Sequence, residues 1–273
     1  FSYTTKMVHC QGCQNHCRET VNIFPDGQRH ISGNRCEKGL NHQRQANPAP
    51  SMFEYKRKRL FDYEPLPESE AKRGVIGIPR VLNMYENFPF WAVFFKTLGF
   101  RVMLSPFSDS RTLALGMDSI PSESECYPAK LAHGHVEWLI ANGAETVFYP
   151  CVYYERREDD RIQNQYNCPM VTSYPESIRN NVENLSEKNI RYLDPFLAFT
   201  NEEVLEEGLT DFMSKEFRIP KKEVRSAVQA GWEELLAYRK DVREQGQVIL
   251  DWVKENQATG IVLAGRPYHL DPE

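Results

Sequence analysis

Downstream of residue 73, short apolar runs alternate with longer segments in which apolar residues recur at helical spacing. The short runs, rich in valine, isoleucine and leucine, indicate strands, and the longer periodic segments indicate helices. Alternation at this pitch predicts βαβ units and therefore an α/β fold. The expected strands cover residues 74–78, 101–105, 146–149, 170–173, 190–193 and 260–264. The expected helices cover residues 89–98, 128–142, 175–184, 201–217 and 220–256.

The last of these helices carries an apolar residue at every seventh position. A stripe of this kind is typical of core packing between helices. A contact between two copies of the chain in a homodimer is the alternative. The stripe consists of Val228, Leu235, Val242 and Ile249.

The first 45 residues follow a different pattern, with closely spaced cysteines in place of long apolar runs. Two β-like runs surround the turn at Pro25, Asp26 and Gly27 and predict a hairpin, which returns the last cysteine to the first three. A Cys-x2-Cys pair presents two sulfurs to one metal from a single turn. We therefore expect a small Cys-rich metal module, with a disulfide knot as the alternative. Its ligands are Cys10, Cys13, Cys17 and Cys36.

The domain order that follows is a metal module over 1–45, a polar and basic linker over 46–73, and an α/β domain over 74–273. The chain starts without methionine and stops in a polar loop just after a strand-like run. We therefore expect it to be an excerpt from a longer polypeptide, with the α/β domain truncated at its C-terminus.

Composition narrows the functional classes. The chain has 273 residues, of which 41% are hydrophobic, and a net charge of −5, which gives no electrostatic basis for binding nucleic acid. It has no apolar run long enough to span a membrane. Seven cysteines, an odd number, and the lack of a signal-peptide pattern favour reduced thiols and a cytoplasmic location. The glycine pattern of a phosphate-binding loop and the serine elbow of a hydrolase are both missing.

Candidate chemistry gathers at one side of the expected sheet. In a mostly parallel, Rossmann-like sheet with helices on both faces, ligands bind outside the carboxyl ends of the strands. Charged, aromatic and sulfur-bearing residues recur in the loops at these positions. They include Arg80 after the first strand, Cys151 and Glu155 after the third, Cys168 just before the fourth, and Arg266 and His269 after the last.

The densest of these segments covers residues 120–135. Pro128 is expected to open a helix, which places Cys126 at a helix N-terminus, where a thiolate is stabilised. Glu125 and Lys130 add charge close by, which favours a functional thiolate. The alternative is that Cys126 is a small buried residue and that His133 and its neighbour His135 lie at the polar surface of the helix.

Two resemblances sharpen these expectations. The cysteine spacing of the first module, followed by the hairpin and by residues 36–39, resembles the small N-terminal [4Fe–4S] domain of molybdopterin oxidoreductases. That likeness implies an iron–sulfur cluster there in preference to zinc. The segments 31–39, 77–91, 120–130, 149–155 and 167–175 together resemble the central region of the acyl-CoA dehydratase activase-related proteins of anaerobic bacteria, which are often labelled CoA-substrate-specific enzyme activases.

The second resemblance implies similarity to the 2-hydroxyacyl-CoA dehydratase component and to double-cubane cluster proteins. Dehydratases of that kind hold a [4Fe–4S] cluster by three cysteines, which here correspond to Cys126, Cys151 and Cys168. It also implies an ATPase activase domain in the same parent polypeptide and an acyl-CoA substrate. The first cluster, with four cysteines, would relay electrons to the second.

The sequence thus predicts an iron–sulfur redox module of an ATP-driven 2-hydroxyacyl-CoA dehydratase or reductase system, which accepts low-potential electrons from its activase. The polar residues expected to act beside the second cluster are Glu125, Lys130, Glu155 and His269. Two alternatives stay open. One is a non-catalytic scaffold with a structural zinc at Cys10–Cys36, and the other is a domain that binds acyl-CoA or another anion through Arg80, Lys130 and Arg266.

Overall fold

The structure is a computed structural model that describes residues 2–12, 15–34 and 49–272. The chain divides into two compact units, residues 1–50 and 51–273. The first unit contains an antiparallel sheet in the order β1 (Thr4–His9), β2 (Arg18–Ile23), β3 (Arg29–Ser32). The turn between β2 and β3 contains Gly27 at a φ of 81°, so the expected hairpin is confirmed.

The second unit is an α/β structure in which a parallel four-stranded sheet has the order β5-β4-β6-β8, and a separate parallel pair joins β7 and β9. The predicted α/β class and parallel sheet are confirmed. Its strands are β4 (Val75–Ile78), β5 (Arg101–Leu104), β6 (Thr146–Phe148), β7 (Cys151–Tyr154), β8 (Arg191–Leu193) and β9 (Phe196–Ala198). Its α-helices are α1 (Met52–Phe61), α2 (Met84–Thr97), α3 (Ser110–Gly116), α4 (Tyr127–Ala141), α5 (Pro169–Asn181), α6 (Asn184–Glu187), α7 (Glu202–Phe217) and α8 (Lys221–Glu255). Short 3-10 turns cover Glu68–Glu70, Met117–Ser119 and Pro267–Leu270.

Two of the six predicted strands are wrong. Residues 170–173 form the start of α5, because Pro169 occupies the first helical turn and the buried side chains of Val171, Tyr174 and Ile178 recur at helical spacing. Residues 260–264 form no strand, and Val262 is 90% exposed. The strands β7 and β9 were not expected, since each has only three or four residues.

Two prolines expected to begin helices lie inside them instead. Pro89 is in α2 and Pro175 is in α5. Both helices therefore start about a turn or more before the predicted positions. Their early starts bring Cys168 to the first residue before α5 and lengthen the part of α2 beside the sheet.

The segment expected as a linker contributes a packed helix from residue 51 onward. Leu60 of α1 is fully buried, and Phe61 packs against the core. Arg59 of the same helix donates hydrogen bonds to Glu234 and Asp241 of α8, each over 2.8 Å. Residues 51–73 therefore belong to the α/β unit.

The core lies around α2, whose aromatic side chains pack on β6 and α8. Trp91 is fully buried, with its ring 4.7 Å from that of Phe148 in β6. Gly231 lets α8 approach α2 closely, because a Cβ there would lie 2.9 Å from Phe90. The apolar stripe of α8 is core packing in its first half, where Val228 and Leu235 are buried. In this fully described helix, no residue after Arg239 is buried.

Over the described ranges, no helix combines the length and the apolar character that crossing a membrane requires.

Candidate functional site

Two cysteines stand at the first positions of two helices at the carboxyl side of the sheet. Cys126 precedes α4 and Cys168 precedes α5, both in extended backbone, and each is followed by a proline in the first helical turn. The free N–H groups at a helix start, together with the helix dipole, stabilise negative charge on a neighbouring group. Cys126 is exposed and Cys168 is half-buried, so both sulfurs are accessible.

The three predicted cysteines lie near enough to one tyrosine hydroxyl for their charges to act on it. Burial raises the pKa of Tyr149, and the charges of Tyr174, Cys151, Cys126 and Cys168 raise it further. The hydroxyl of Tyr149 is fully buried and has no hydrogen-bond partner among the described residues. Such an orphaned buried group is rare in folded proteins and calls for a partner atom. We refer to Tyr149 and these three cysteines as the cysteine group.

A second tyrosine approaches the same sulfurs from the end of the described chain. The hydroxyl of Tyr268 lies near enough to Cys168, and also to Cys126, for their charges to act on it. Burial raises the pKa of Tyr268, with both thiols acting in the same direction. Tyr268 was not among the residues chosen from sequence, although its neighbour His269 was.

Cys151 differs from the other two cysteines. It is fully buried at the start of β7, and burial raises the pKa of its thiol to about 12, with Asp194 and Glu176 adding to the effect. It is therefore a neutral thiol unless a metal replaces its proton. Across residues 2–12, 15–34 and 49–272, no three Cys, His, Asp or Glu side chains form a group that could hold a metal ion. Cys126 and Cys168 are accessible thiols, whereas Cys151 is a buried one.

The two predicted polar residues next to Cys126 form hydrogen bonds with different parts of the protein. Glu125 accepts a hydrogen bond from the hydroxyl of Tyr174 on α5. Lys130 donates to the main-chain oxygen of Glu123 over 2.7 Å. Glu125 therefore belongs to a chain that runs into the protein, and Lys130 closes the loop before α4.

That chain ends at a buried histidine of α4. His133 lies with Nε2 2.9 Å from the Tyr174 hydroxyl and with Nδ1 2.8 Å from the Ser119 hydroxyl. Burial lowers the pKa of His133 to about 4, so the ring is neutral. Because Tyr174 gives its proton to Glu125, Nε2 of His133 must donate to Tyr174. Nδ1 is then an acceptor that faces the Ser119 hydroxyl, whose one proton is shared between this nitrogen and the Gly116 carbonyl 3.0 Å away.

A parallel chain runs from the other side of α4. His135 is fully buried, with Nδ1 2.8 Å from Ser105 Oγ and Nε2 2.8 Å from Ser108 Oγ. Ser108 donates over 2.6 Å to Asp271, and the Arg80 main-chain N–H donates to Ser105 over 2.8 Å. Burial lowers the pKa of His135 to about 3, and the positive charge of Arg80 adds to the shift. His135 is thus also a neutral ring with its proton on Nε2. The interpretation that both histidines lie at the polar surface is wrong.

Arg80 lines a cavity of about 230 Å³ beside the hydrogen-bond chain of His135. We call it the arginine cavity. Its lining includes the predicted residues Arg80 and His269, whereas Arg266 is exposed and not part of the wall. The complete wall is Arg80, Val81, Leu82, Tyr85, Ser108, Tyr127, Pro128, Leu131, Tyr268, His269 and Asp271.

Glu155, also predicted from sequence, is buried away from the cavity and anchors the loop before α5. It accepts hydrogen bonds from Asn87 over 3.1 Å and from Asn167 over 2.9 Å. Asn167 also donates to the main-chain oxygen of Val152 over 3.1 Å. Burial raises the pKa of Glu155, and the nearby Glu86 adds to the shift. Glu155 therefore joins the segment that carries Cys168 to the strand that carries Cys151.

The predicted metal module is described only in part, since Cys13 and Cys36 lie outside the described residues. Cys10 is buried and Cys17 is half-buried. The N–H of Gly12 donates to the sulfur of Cys10 over 3.3 Å, and the N–H of Cys10 donates to the oxygen of Cys17 over 2.9 Å. An N–H to sulfur contact inside the turn favours a thiolate at Cys10.

Comparison with known families decides the broader class. A family model described as CoA enzyme activase uncharacterised domain matches residues 75–273. The chain belongs to this family. The match confirms the resemblance seen in the sequence and covers both the cysteine group and the arginine cavity. No curated protein and no solved structure matches the chain.

Proposed function

We propose that the α/β unit is the electron-accepting iron–sulfur component of a CoA-ester dehydratase or reductase system. Membership of a CoA enzyme activase domain family supports a system of this type. The observation that supports the proposal is that three cysteines lie within electrostatic range of the orphaned hydroxyl of Tyr149. In this proposal Cys126 and Cys168 are cluster ligands, and Cys151 is the third once it has lost its proton.

An iron–sulfur cluster with three thiolate ligands would supply a low-potential redox centre with one iron open to another ligand. The chain's own residues would prepare its surroundings. The starts of α4 and α5 would stabilise the negative charge of Cys126 and Cys168, and the nearby Tyr268 hydroxyl could donate to the thiolate of Cys168. A hydrogen bond to a cluster sulfur from this hydroxyl would raise the reduction potential.

The chain of His133, Tyr174 and Glu125 would manage protons at the same place. It holds one proton on His133 Nε2 and one on the Tyr174 hydroxyl, next to Cys126. Both protons are used within the chain, since His133 donates to Tyr174 and Tyr174 donates to Glu125. The chain would therefore fix the Glu125 carboxylate in place beside Cys126.

We further propose that Cys10, Cys13, Cys17 and Cys36 hold a second, four-thiolate centre that relays electrons, with zinc as the alternative metal. The N–H to sulfur contact at Cys10 supports a thiolate there. An ATPase activase domain in the same parent polypeptide would deliver the electrons, in keeping with the family. An acyl-CoA is the expected substrate class.

The test is the content of iron, zinc and acid-labile sulfide in protein purified without oxygen. Two [4Fe–4S] clusters would give about eight irons per chain with matching sulfide. Cys126→Ser and Cys168→Ser should each remove about half of the iron, and Cys10→Ser should remove the other half. Iron that is unchanged in Cys126→Ser and Cys168→Ser would refute the cluster at the cysteine group, and one zinc without sulfide would favour a scaffold.

A further inference from the structure

The arginine cavity has a cation that is fixed in place before any ligand arrives. The guanidinium of Arg80 contacts two aromatic rings that are perpendicular to each other, 4.4 Å from the centroid of Phe61 and 3.9 Å from that of Phe107. Its Nε donates to the main-chain oxygen of Ser105 over 2.9 Å. The two ring contacts and one anchored nitrogen leave the side chain little freedom. A ligand would therefore lose little binding energy to ordering it.

The remaining donors of Arg80 are unused. Among the described residues, none accepts a hydrogen bond from its two terminal amino groups, and none forms an ion pair with it. The side chain is mostly buried, and burial lowers the pKa of Arg80 to about 10, so its charge is poorly compensated. A buried guanidinium with unpaired donors is a site for a planar, two-oxygen anion, which it can bind through two parallel hydrogen bonds.

The rest of the wall selects the body of the ligand. Val81, Leu82, Leu131 and the rings of Tyr127 and Tyr268 make it largely apolar. The cavity, about 230 Å³, is below the range of roughly 300–1,000 Å³ typical of sites for drug-sized ligands. It therefore suits a short apolar body with one anionic end and excludes a whole coenzyme.

One residue of the wall opposes an anion. Asp271 carries a carboxylate that accepts from Tyr85 and Ser108, and its charge acts on Arg80 without a direct ion pair. The two donors hold Asp271 away from the guanidinium, so the terminal N–H groups of Arg80 remain available for a second carboxylate. The repulsion from Asp271 weakens that binding but can be removed by a single substitution.

We propose that the arginine cavity binds small carboxylates with an apolar body, through a two-point contact with Arg80. The site does not depend on iron, because the hydrogen bonds of Arg80 are made to Ser105 and not to a cysteine. It singles out Arg80 from the three cations expected to bind an anion, since Lys130 is engaged with Glu123 and Arg266 lies outside the wall.

The test uses benzoate and its neutral counterpart benzamide, with the full chain and its Cys126→Ser variant, by thermal shift and by ligand-observed NMR. Benzoate should bind and stabilise both proteins, and benzamide should not. Arg80→Met keeps an unbranched chain beside the two rings and should weaken benzoate binding by roughly tenfold to a hundredfold, from the strength of charge-assisted hydrogen bonds. Arg111→Met, which removes an equal charge from an exposed arginine, should leave binding unchanged.

Asp271→Asn provides a second test that leaves Arg80 untouched. It keeps an oxygen for Tyr85 and Ser108 but removes the opposing charge, so benzoate should bind about threefold to tenfold more tightly. Equal binding of benzoate and benzamide, or unchanged affinity in both Arg80→Met and Asp271→Asn, would overturn the proposal. Tighter binding of inorganic phosphate than of benzoate would overturn the assignment of the ligand as a carboxylate. Loss of iron in Cys126→Ser with benzoate binding retained would separate this site from the cluster.

Discussion

The cysteine group and the arginine cavity each lie beside a hydrogen-bond chain that begins at a buried histidine of α4. The two sites differ in the groups that surround these chains. His133 leads through Tyr174 to Glu125 beside the exposed thiol of Cys126. His135 leads through Ser108 to Asp271 in the cavity wall. Both chains place a neutral ring, a hydroxyl and a carboxylate in series. The same arrangement therefore serves two kinds of site.

The difference lies in the groups left without partners. At the cysteine group the orphan is a neutral hydroxyl, that of Tyr149, beside soft sulfur ligands. At the arginine cavity it is a pair of cationic amino groups on Arg80. Sulfur and a hydroxyl suit a metal centre, whereas an unpaired guanidinium suits an anion. A metal at the cysteine group and an anion at the arginine cavity can therefore be tested in separate experiments.

The largest expected effect comes from the glycine that separates the two histidines. A Cβ on Gly134 would lie 1.7 Å from the main-chain oxygen of Thr112 in α3, so Gly134→Ala must push α3 and α4 apart. We expect a loss of about 4 kcal/mol or more in the free energy of unfolding, measured by urea denaturation. Both sites should then fail together.

The matched control is Gly246→Ala in α8, where a Cβ meets nothing within 4 Å. It should stabilise the protein by up to about 1 kcal/mol, because alanine favours the helix. If Gly134→Ala were as harmless as this control, the shared frame of the two sites would be wrong.

The second prediction concerns pH. A histidine whose folded pKa lies below its unfolded value of about 6.5 binds its proton more readily in the unfolded chain, so stability falls as pH drops below that value. For His135, with a folded pKa of about 3, the loss between pH 7 and pH 5 is about 2 kcal/mol. His133 contributes in the same direction.

The readout is the difference in unfolding free energy between pH 7 and pH 5, compared between the parent chain and His135→Gln. The difference should shrink by about 2 kcal/mol in the variant. Glu155, whose raised pKa acts in the opposite direction, is present in both proteins and cancels. An unchanged pH dependence would mean that His135 is not held neutral.

The third prediction compares two tyrosines of the cysteine side. Tyr174→Phe removes a hydroxyl that bonds to both His133 and Glu125, and should cost about 1–3 kcal/mol of stability. Tyr149→Phe removes an unsatisfied hydroxyl, and in metal-free protein should be neutral or slightly stabilising. In iron-loaded protein, the same change should instead speed the loss of iron. Equal destabilisation by both changes in metal-free protein would show that Tyr149 has a partner.

The smallest effect is expected at Lys130. Its amino group meets only the main-chain oxygen of Glu123 in an exposed loop, so Lys130→Met should change stability by less than about 0.5 kcal/mol. Iron content and benzoate affinity should both stay at the parent level. A large loss of either would restore Lys130 as a functional residue.

The positions of the candidate site residues along the chain could be predicted, because parallel strands end on one side of a sheet. Arg80 follows the end of β4 by two residues and Cys151 follows the end of β6 by three, as the sequence indicates. The start of α4 directly after Cys126 could also be predicted, because Pro128 marks the first turn of the helix. Tyr149, directly before Pro150 and Cys151, could have been added by the same reasoning.

Features that depend on tertiary contacts could not be predicted. The aromatic rings that contact Arg80 are Phe61, from the segment expected as a linker, and Phe107, from the loop after β5. No local sequence pattern connects these two residues. The burial of His133 and His135 arises because α4 is covered by α3 and α5 on different sides. Residues 170–173 have β-prone side chains, and the packing of α5 overrides that preference.

Helix α8 is a single rod of 35 residues, about 52 Å long at 1.5 Å per residue. Its first half is held by the core up to Arg239, whereas its second half relies on pairs such as Lys240 with Glu244. A free helix of about fifteen residues is only marginally stable in water. In hydrogen–deuterium exchange, the amides of 224–239 should therefore exchange only when the whole unit unfolds, while those of 244–255 should exchange orders of magnitude faster, by fraying from the far end.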